Sequence, residues 1–237
     1  MQMVEIKNNL KSIFDNISIV TEGLLYKMFI SNKPFITLKG NPVNIPNNIF
    51  KIQLENELGS YQEKQSNNLV TYNMLIKFAD NIHSDKDESI NFFLKYLDTD
   101  LLFYKVNTPI ALVKLQEDSW GKIIQRFNSV FKTSWKVTNK IQPLKQDPAS
   151  ISIVKNYLNS LDNMSLQLMD SILKLTGSCL LTILCKQKEL SYTEIWEAIY
   201  LEEIWYNKYL YKDSLRKKEL EEKKIELESY LKLLDSL

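Results

Sequence analysis

The feature that most narrows what this chain can become is a change of hydrophobic period near residue 48. Before it, short β-branched and aromatic runs, at 17–20, 24–30, 35–38 and 43–45, alternate with the turn formers Gly23, Asn32-Lys33-Pro34, Gly40 and Pro42. Runs of that length, punctuated by Gly, Asn and Pro, predict an antiparallel meander, which Pro46-Asn47-Asn48 then closes. After it, Phe50, Leu54, Leu58 and Tyr61 recur at i, i+4, i+8 and i+11, the spacing of a helix laid on another layer. The expected fold class is α+β: a small antiparallel β-rich N-terminal domain with one packed helix over residues 1–66, a larger all-helical domain over 67–212, and a charged helical tail over 213–237. With 237 residues, 44% of them apolar, there is material for one large core or two small ones.

Helices dominate the rest. Ile90, Phe93, Leu94, Leu97, Leu101 and Tyr104 form a stripe opened by the acidic run 85–88, which suits a helix N-terminus. Thr108-Pro109 and Asp147-Pro148 each read as an N-cap followed by proline at the first helical position. Gly121, beside Trp120, costs about 1 kcal/mol of helix propensity, so the helix there is expected to kink or divide. Residues 134–138 suit a returning strand and 140–147 a linker. Two further helices are expected at 163–186 and 191–212, the second opened by the capping-box spacing Ser191…Glu194. The tail is laced with i,i+4 pairs such as Glu219 and Lys223; it reads as a solvated helix, or as one whose weak stripe of Leu227, Tyr230, Leu231 and Leu234 docks on a partner.

Several function classes fall away. The five glycines are never closer than 17 positions, so no phosphate-cradling glycine loop can be written. His83, the lone histidine, sits in a polar stretch and reads as an exposed loop or helix-end residue, which leaves no His-rich metal site. Thirty basic against 29 acidic residues offer no whole-molecule field for a polyanion, and no basic stripe accompanies the four tryptophans, which read as core, so no nucleic-acid role is expected. Cys179 and Cys185, six residues apart on one apolar stretch, are about 9 Å apart along a helix, beyond disulfide reach. They read as buried thiols of a reducing compartment. That charge-free stretch, 175–185, is too short to span a bilayer, so no membrane insertion is expected. Residues 1–11 lack an apolar run and any arginine, unlike a secretory signal or mitochondrial presequence; the expectation is a mature chain starting at Met1.

The wheel of 191–212 does not close cleanly. Ile195, Ile199, Tyr206 and Tyr209 form one apolar face with Glu202 in its middle, and Glu203 falls between Trp196 and Leu210. Carboxylates on an apolar side need compensation, either by an internal lysine or helix-end donors, or by the basic groups of a protein partner. Asp98 and Asp100 suggest an acid pair, but two residues apart on a helix they diverge by about 200°, which favours solvation or capping.

Taken in order, 95–105 (Lys-Tyr-Leu-Asp-Thr-Asp-Leu-Leu-Phe-Tyr-Lys), 112–116 with Trp120, 175–178 and Tyr200-Leu-Glu-Glu203 resemble the family of ATP synthase assembly chaperones that act on the alpha subunit of the catalytic head, of mitochondrial and alphaproteobacterial type. Residues 26–33, Val43-Asn-Ile-Pro46, and Glu57 with Gln62 fit the same pattern, and the resemblance spans about 17–212. Leu58, Ile204 and Tyr206 depart from the residues usual in that family. The resemblance implies a β-rich domain followed by a helical one, a non-enzymatic role, no cofactor, and the unassembled alpha subunit of ATP synthase as partner, protected from aggregation until assembly. It points to the acidic positions Glu202 and Glu203; with Ile199 and Tyr206 beside them, these four are the expected partner-binding residues, and no catalytic, cofactor or metal residue is assigned.

The residues also admit two rival functions: a metal-dependent hydrolase using Asp98, Asp100 and Glu203, and a helical adaptor acting through the tail. A monomer is expected. Only Arg126 and Arg216 stand against many lysines, and Asn and Ile are abundant, which favours a bacterial cytoplasm, or the mitochondrial matrix if the chain is eukaryotic.

Overall fold

The computed structural model describes residues 16–237 apart from 24, 63–67, 83–84, 143 and 212–213; the expectations for His83 and for residues 1–11 lie outside the described residues. The chain divides into two compact units, residues 1–84 with 236–237, and residues 85–235.

In the first unit, β1 (Ile17–Glu22) pairs antiparallel with β2 (Leu25–Ile30), and β2 pairs in turn with β3 (Lys33–Pro34) and β4 (Asn44–Ile45). The meander is therefore present, with one adjustment. Ser31 and Asn32, both at positive φ, make the two-residue turn, so Lys33 and Pro34 fall in β3 and the turn lies one residue earlier than expected. Residues 35–38 are not a regular strand; they form a small hairpin with 41–43 around the Ile36–Pro42 bridge.

Helix α1 (Asn48–Gln62) buries Phe50, Leu54 and Leu58 as its stripe demands. Helix α2 (Val70–Asp80) packs on α1 and β4. Leu69 at its N-cap has no side-chain acceptor to offer, and Glu57 of α1 supplies one instead, accepting from the Thr71 amide and hydroxyl (both 2.7 Å) and the Tyr72 amide (3.1 Å). Burial pushes the Glu57 carboxyl up in pKa, against the pull of the Thr71 and Tyr72 donors. This bond ties α2 to the β-bearing unit, so the first unit runs to residue 84, where the sequence reading divides the chain at 66.

The second unit is helical: α3 (Lys86–Tyr96), a 3₁₀ turn (Leu101–Phe103), α4 (Ile110–Gln116), a π-helical turn (Glu117–Gly121), α5 (Lys122–Phe131), α6 (Pro148–Ser160), α7 (Asn163–Thr176), α8 (Cys179–Lys186), α9 (Tyr192–Ile199), α10 (Leu201–Tyr206), a second π-helical turn (Asn207–Tyr211) and α11 (Ser214–Asp235). Helices α7 and α8 lie at its centre. All of α8 from Cys179 to Cys185 is buried, and α7 packs on α3, α8 and α11. Both cysteines are free, and burial pushes their thiols well above the ordinary range.

The expected interruption at Gly121 is the first π-helical turn, which turns the indole of Trp120 inward, its Nε1 donating to the Ala198 carbonyl at 2.8 Å. Asp147 and Ser191 cap α6 and α9 as expected, Pro148 following the first and Glu194 completing a capping box with the second. Four expectations change. Pro109 is itself the N-cap of α4, with extended dihedrals. Residues 134–138 are extended but meet Tyr104 by a single parallel bridge at Thr138, because the side chain of Gln146, not a neighbouring strand, takes the main chain of Lys136. The helix over 163–186 is two helices, parted where Gly177 takes a left-handed φ of 65° and Ser178 caps α8. The helix over 191–212 breaks at Tyr200.

The tail is not a solvated appendage. Helix α11 packs on α7, α8 and α9, burying Leu220, Leu227, Leu233 and Leu234. Leu227 and Leu234, expected as part of a docking stripe, are thus core residues of this same chain.

Candidate functional site

The surface of interest is built by α9, α10 and the residues that hold them. Burial follows Ile195, Ala198 and Leu201, a three-residue spacing that turns one side of α9 and α10 to the core. Ile199, Glu202 and Tyr206 occupy the next stripe round and are half-buried, whereas Ile204 and Tyr209 are exposed, Tyr209 to 58%. The face that a straight 191–212 helix would have buried therefore lies largely at the protein surface. The break at Tyr200 rotates the two halves out of the common phase that the wheel assumes.

The two neighbouring acids meet different fates. Glu202 accepts a hydrogen bond of 2.6 Å from Nε2 of Gln116, whose Oε1 accepts from the Val106 amide at 2.9 Å. Gln116 is fully buried at the end of α4 and has no freedom to swing away. Its amide is neutral, so it orients the carboxylate without cancelling its charge. Among the described residues no cation lies within ion-pair distance of Glu202, and desolvation pushes its pKa up, with Gln116 pulling the other way.

Glu203 instead meets Arg216 of α11, Oε1 to Nη2 at 2.6 Å, while the same guanidinium reaches Glu219 at 2.8 Å. The expectation of an unmatched pair of acids is thereby halved: Glu203 has an internal counter-charge, an arginine from the tail rather than a buried lysine. Its second oxygen, Oε2, is covered and has no hydrogen-bond partner among the described residues.

Aromatic side chains border the acids. Trp196 meets Tyr200 with the rings tilted by 42° and their centroids 4.2 Å apart, and Lys223 and Lys224 of α11 lie over the Tyr200 and Trp196 rings at 5.5 and 5.9 Å. Burial, with Glu203 and Glu226 nearby, pushes the Tyr200 hydroxyl up to about 12. Trp205 contacts both Tyr206 and Tyr209 at 5.2 Å, which gives the exposed end of the site an aromatic edge. Of the four expected partner-binding residues, Ile199, Glu202 and Tyr206 share one half-exposed stripe and Glu203 is turned toward α11. Gln116 and Arg216 were not among the expected site residues; 86 and 13 positions away in sequence, they carry no local pattern that would tie them to these acids.

The acids of the hydrolase alternative are dispersed. Asp100 is fully buried, accepting from the amides of Leu102 at 3.1 Å and Leu180 at 3.1 Å, so it caps the 3₁₀ turn and the start of α8 together. Desolvation, opposed by these donors and Ser178, pushes its pKa up to about 6. Asp98 stays exposed, its carbonyl taken by the Tyr104 hydroxyl. Among the described residues no three His, Cys, Asp or Glu side chains are grouped to hold a metal, and no helix is long and apolar enough to cross a membrane.

The site thus offers an oriented acid with no cation beside it among the described residues, bordered by aromatic side chains of which Tyr209 is exposed, on an α+β fold. Comparison with known proteins names the kind. The model of the family "ATP12 chaperone protein" matches residues 11–128. Among solved structures, the Atu1473 protein of Agrobacterium tumefaciens, described as a candidate chaperone, has the same fold at a TM-score of 0.82 and 21% identity, over 95% of this chain and 85% of that one. Atp12 from Paracoccus denitrificans follows at 0.75 and 16% identity, covering 93% of this chain and 96% of its own, and an aspartate-to-lysine variant of that protein at 0.76, 16%, 93% and 94%. The chain belongs to the ATP12 family of ATP synthase assembly chaperones. The matched segment ends inside α5, so Glu202 and its neighbours lie beyond it.

Proposed function

We propose that this chain holds the unassembled alpha subunit of ATP synthase through the surface of α9 and α10, and releases it when the beta subunit takes its place. The observation that carries this reading is Glu202: a half-buried carboxylate fixed by a buried neutral amide, with no cation near it among the described residues. Such a group is costly in an isolated protein and becomes favourable when a partner brings a basic residue to it. Ile199, Tyr206 and the exposed Ile204 and Tyr209 offer apolar area around that contact. An alpha subunit awaiting assembly exposes apolar interface prone to self-association, and a surface of this composition competes for it without needing nucleotide. Glu203, already paired with Arg216, serves the contact less directly, by tying α10 to α11. The reading places the protein in a bacterial cytoplasm, acting as a monomer.

The test is aggregation of purified alpha subunit followed by light scattering. Glu202→Lys is expected to lose protection while keeping the thermal midpoint of the parent to within a few degrees, and Glu202→Gln to lose part of it. Full protection by Glu202→Lys and Glu203→Lys alike would remove the acids from the mechanism.

A further inference from the structure

The hairpin formed by residues 35–43 in the first unit leaves one of its edges open. Thr37 donates its amide to the Asn41 carbonyl at 2.8 Å, and Val43 donates to the Phe35 carbonyl at 3.0 Å. These two bonds flank the Ile36–Pro42 pair, and in an antiparallel ladder the N–H and C=O of a residue so placed point away from the partner strand. Among the described residues neither group of Ile36 is hydrogen-bonded. Side chains alternate to match: Phe35 and Thr37 are buried, Ile36 is 59% exposed and Leu38 fully exposed.

Along this open edge runs a groove of about 580 Å³, walled by Ile30, Phe35, Ile36, Leu38, Tyr72 and Ile76. Phe35 and Tyr72 meet edge to face at 6.0 Å within it. Lys33 and Asp80 are the charged residues of the lining, which Pro34 and Thr37 also share. Asp80 uses Oδ1 for both the Thr37 hydroxyl and the Asn41 side-chain amide, the latter at 3.1 Å; Lys39 is near enough to act on the carboxylate electrostatically, but no hydrogen bond or ion pair among the described residues takes Oδ2. Natural sheets protect open edges with charges, prolines or a covering element. Here the edge residues are an isoleucine and a leucine, and Pro34 and Pro42 nearby keep the accessible main chain short.

We propose that this edge and groove receive one extended segment of the client, a short apolar strand with a lysine or arginine at one end. The strand pairs with the main chain of Ile36, lays alternate side chains into the groove, and sets its cation against Oδ2 of Asp80. Main-chain pairing recognises an unpaired strand whatever its side chains, which suits a protein that meets its partner before the partner's own sheets are covered. The proposal stands apart from the α9–α10 surface and draws on the chaperone reading only for the source of the strand.

The test uses the full chain and a fluorescent, end-blocked peptide of eight alternating Val and Thr residues followed by Lys. It is compared with the same peptide N-methylated at alternate amides and with a version ending in Glu. Fluorescence anisotropy is expected to show binding of the parent, at least tenfold weaker binding of the methylated and Glu-ended peptides, and an equal loss for the parent peptide on the Ile36→Lys protein. Because Ile36 is exposed, that variant keeps its fold, which its amide spectrum verifies. Glu202→Lys is expected to bind the peptide as the parent protein does even where it fails to protect the alpha subunit, so the two proposals fail separately. No binding of the parent peptide, equal binding of the methylated one, or an unaffected Ile36→Lys protein would overturn the proposal. So would sedimentation showing a dimer that Ile36→Lys dissolves, since the edge would then belong to a second copy.

Discussion

Two adjacent glutamates show how little a residue's type says about its task until its neighbours are known. Glu202 and Glu203 read alike on a wheel, yet one is aimed by a buried glutamine and the other closes an ion pair with α11. The raised pKa of Glu202 gives its role a pH signature. A carboxyl whose folded pKa is raised gives up its charge sooner on acidification, so a contact that needs the ionised form fades at a higher pH than it would for an unperturbed glutamate. Protection of the alpha subunit is expected to weaken there, and Glu202→Gln to flatten that dependence. Asp100 illustrates the same chemistry without a partner. Its pKa near 6 against the ordinary 3.8 means that the folded state binds the extra proton first, so stability rises as pH falls from above 6 toward 4, by an order of about 3 kcal/mol. Asp100→Asn removes the buried charge but leaves one acceptor for two amides, those of Leu102 and Leu180, and is expected to cost about 1–3 kcal/mol at neutral pH, measured by chemical denaturation.

At the level of elements, the starts of helices were legible and the interruptions only partly so. Asp85, Asp147 and Ser191 each announce a helix because a short acceptor side chain followed by helix formers leaves little else for the first amides to do. Ser191→Ala is expected to cost about 1 kcal/mol in thermal or denaturant unfolding. Gly177 was readable in principle, since glycine beyond an apolar stripe commonly ends a helix in the left-handed region. The continuous apolar run on both its sides masked that signal. Gly177→Ala has open space for the added methyl but must hold a positive φ, and is expected to lose about 1 kcal/mol. The break at Tyr200 carries no glycine or proline; it is set by tertiary packing, with the Trp120 indole bonded to the Ala198 carbonyl and Tyr200 buried. No local pattern could have located it, and the wheel that placed Glu202 among buried residues inherited that blindness.

For the molecule as a whole, the α+β order was legible because the hydrophobic period changes once, whereas the limits of the two units depend on contacts such as Glu57 with Thr71 that no composition shift marks. The tail misled for a related reason. Its charges are spread on the wet side of a 22-residue helix, and four leucines, Leu220, Leu227, Leu233 and Leu234, suffice to bury the other side. Each fully buried leucine contributes about 1.5–3 kcal/mol, so together they rival the 5–15 kcal/mol that holds an ordinary domain folded. Deleting residues 213–237 is therefore expected to yield an aggregating or molten helical unit, seen as loss of a cooperative thermal transition, rather than a trimmed protein with one partner fewer. The burial of Cys179 and Cys185 in α8 has a practical corollary. Alkylating reagents can reach these two sulfurs only when the innermost helix comes apart, so the pace of their modification in native buffer is a clock for how often that helix opens, and it should quicken sharply under mild urea.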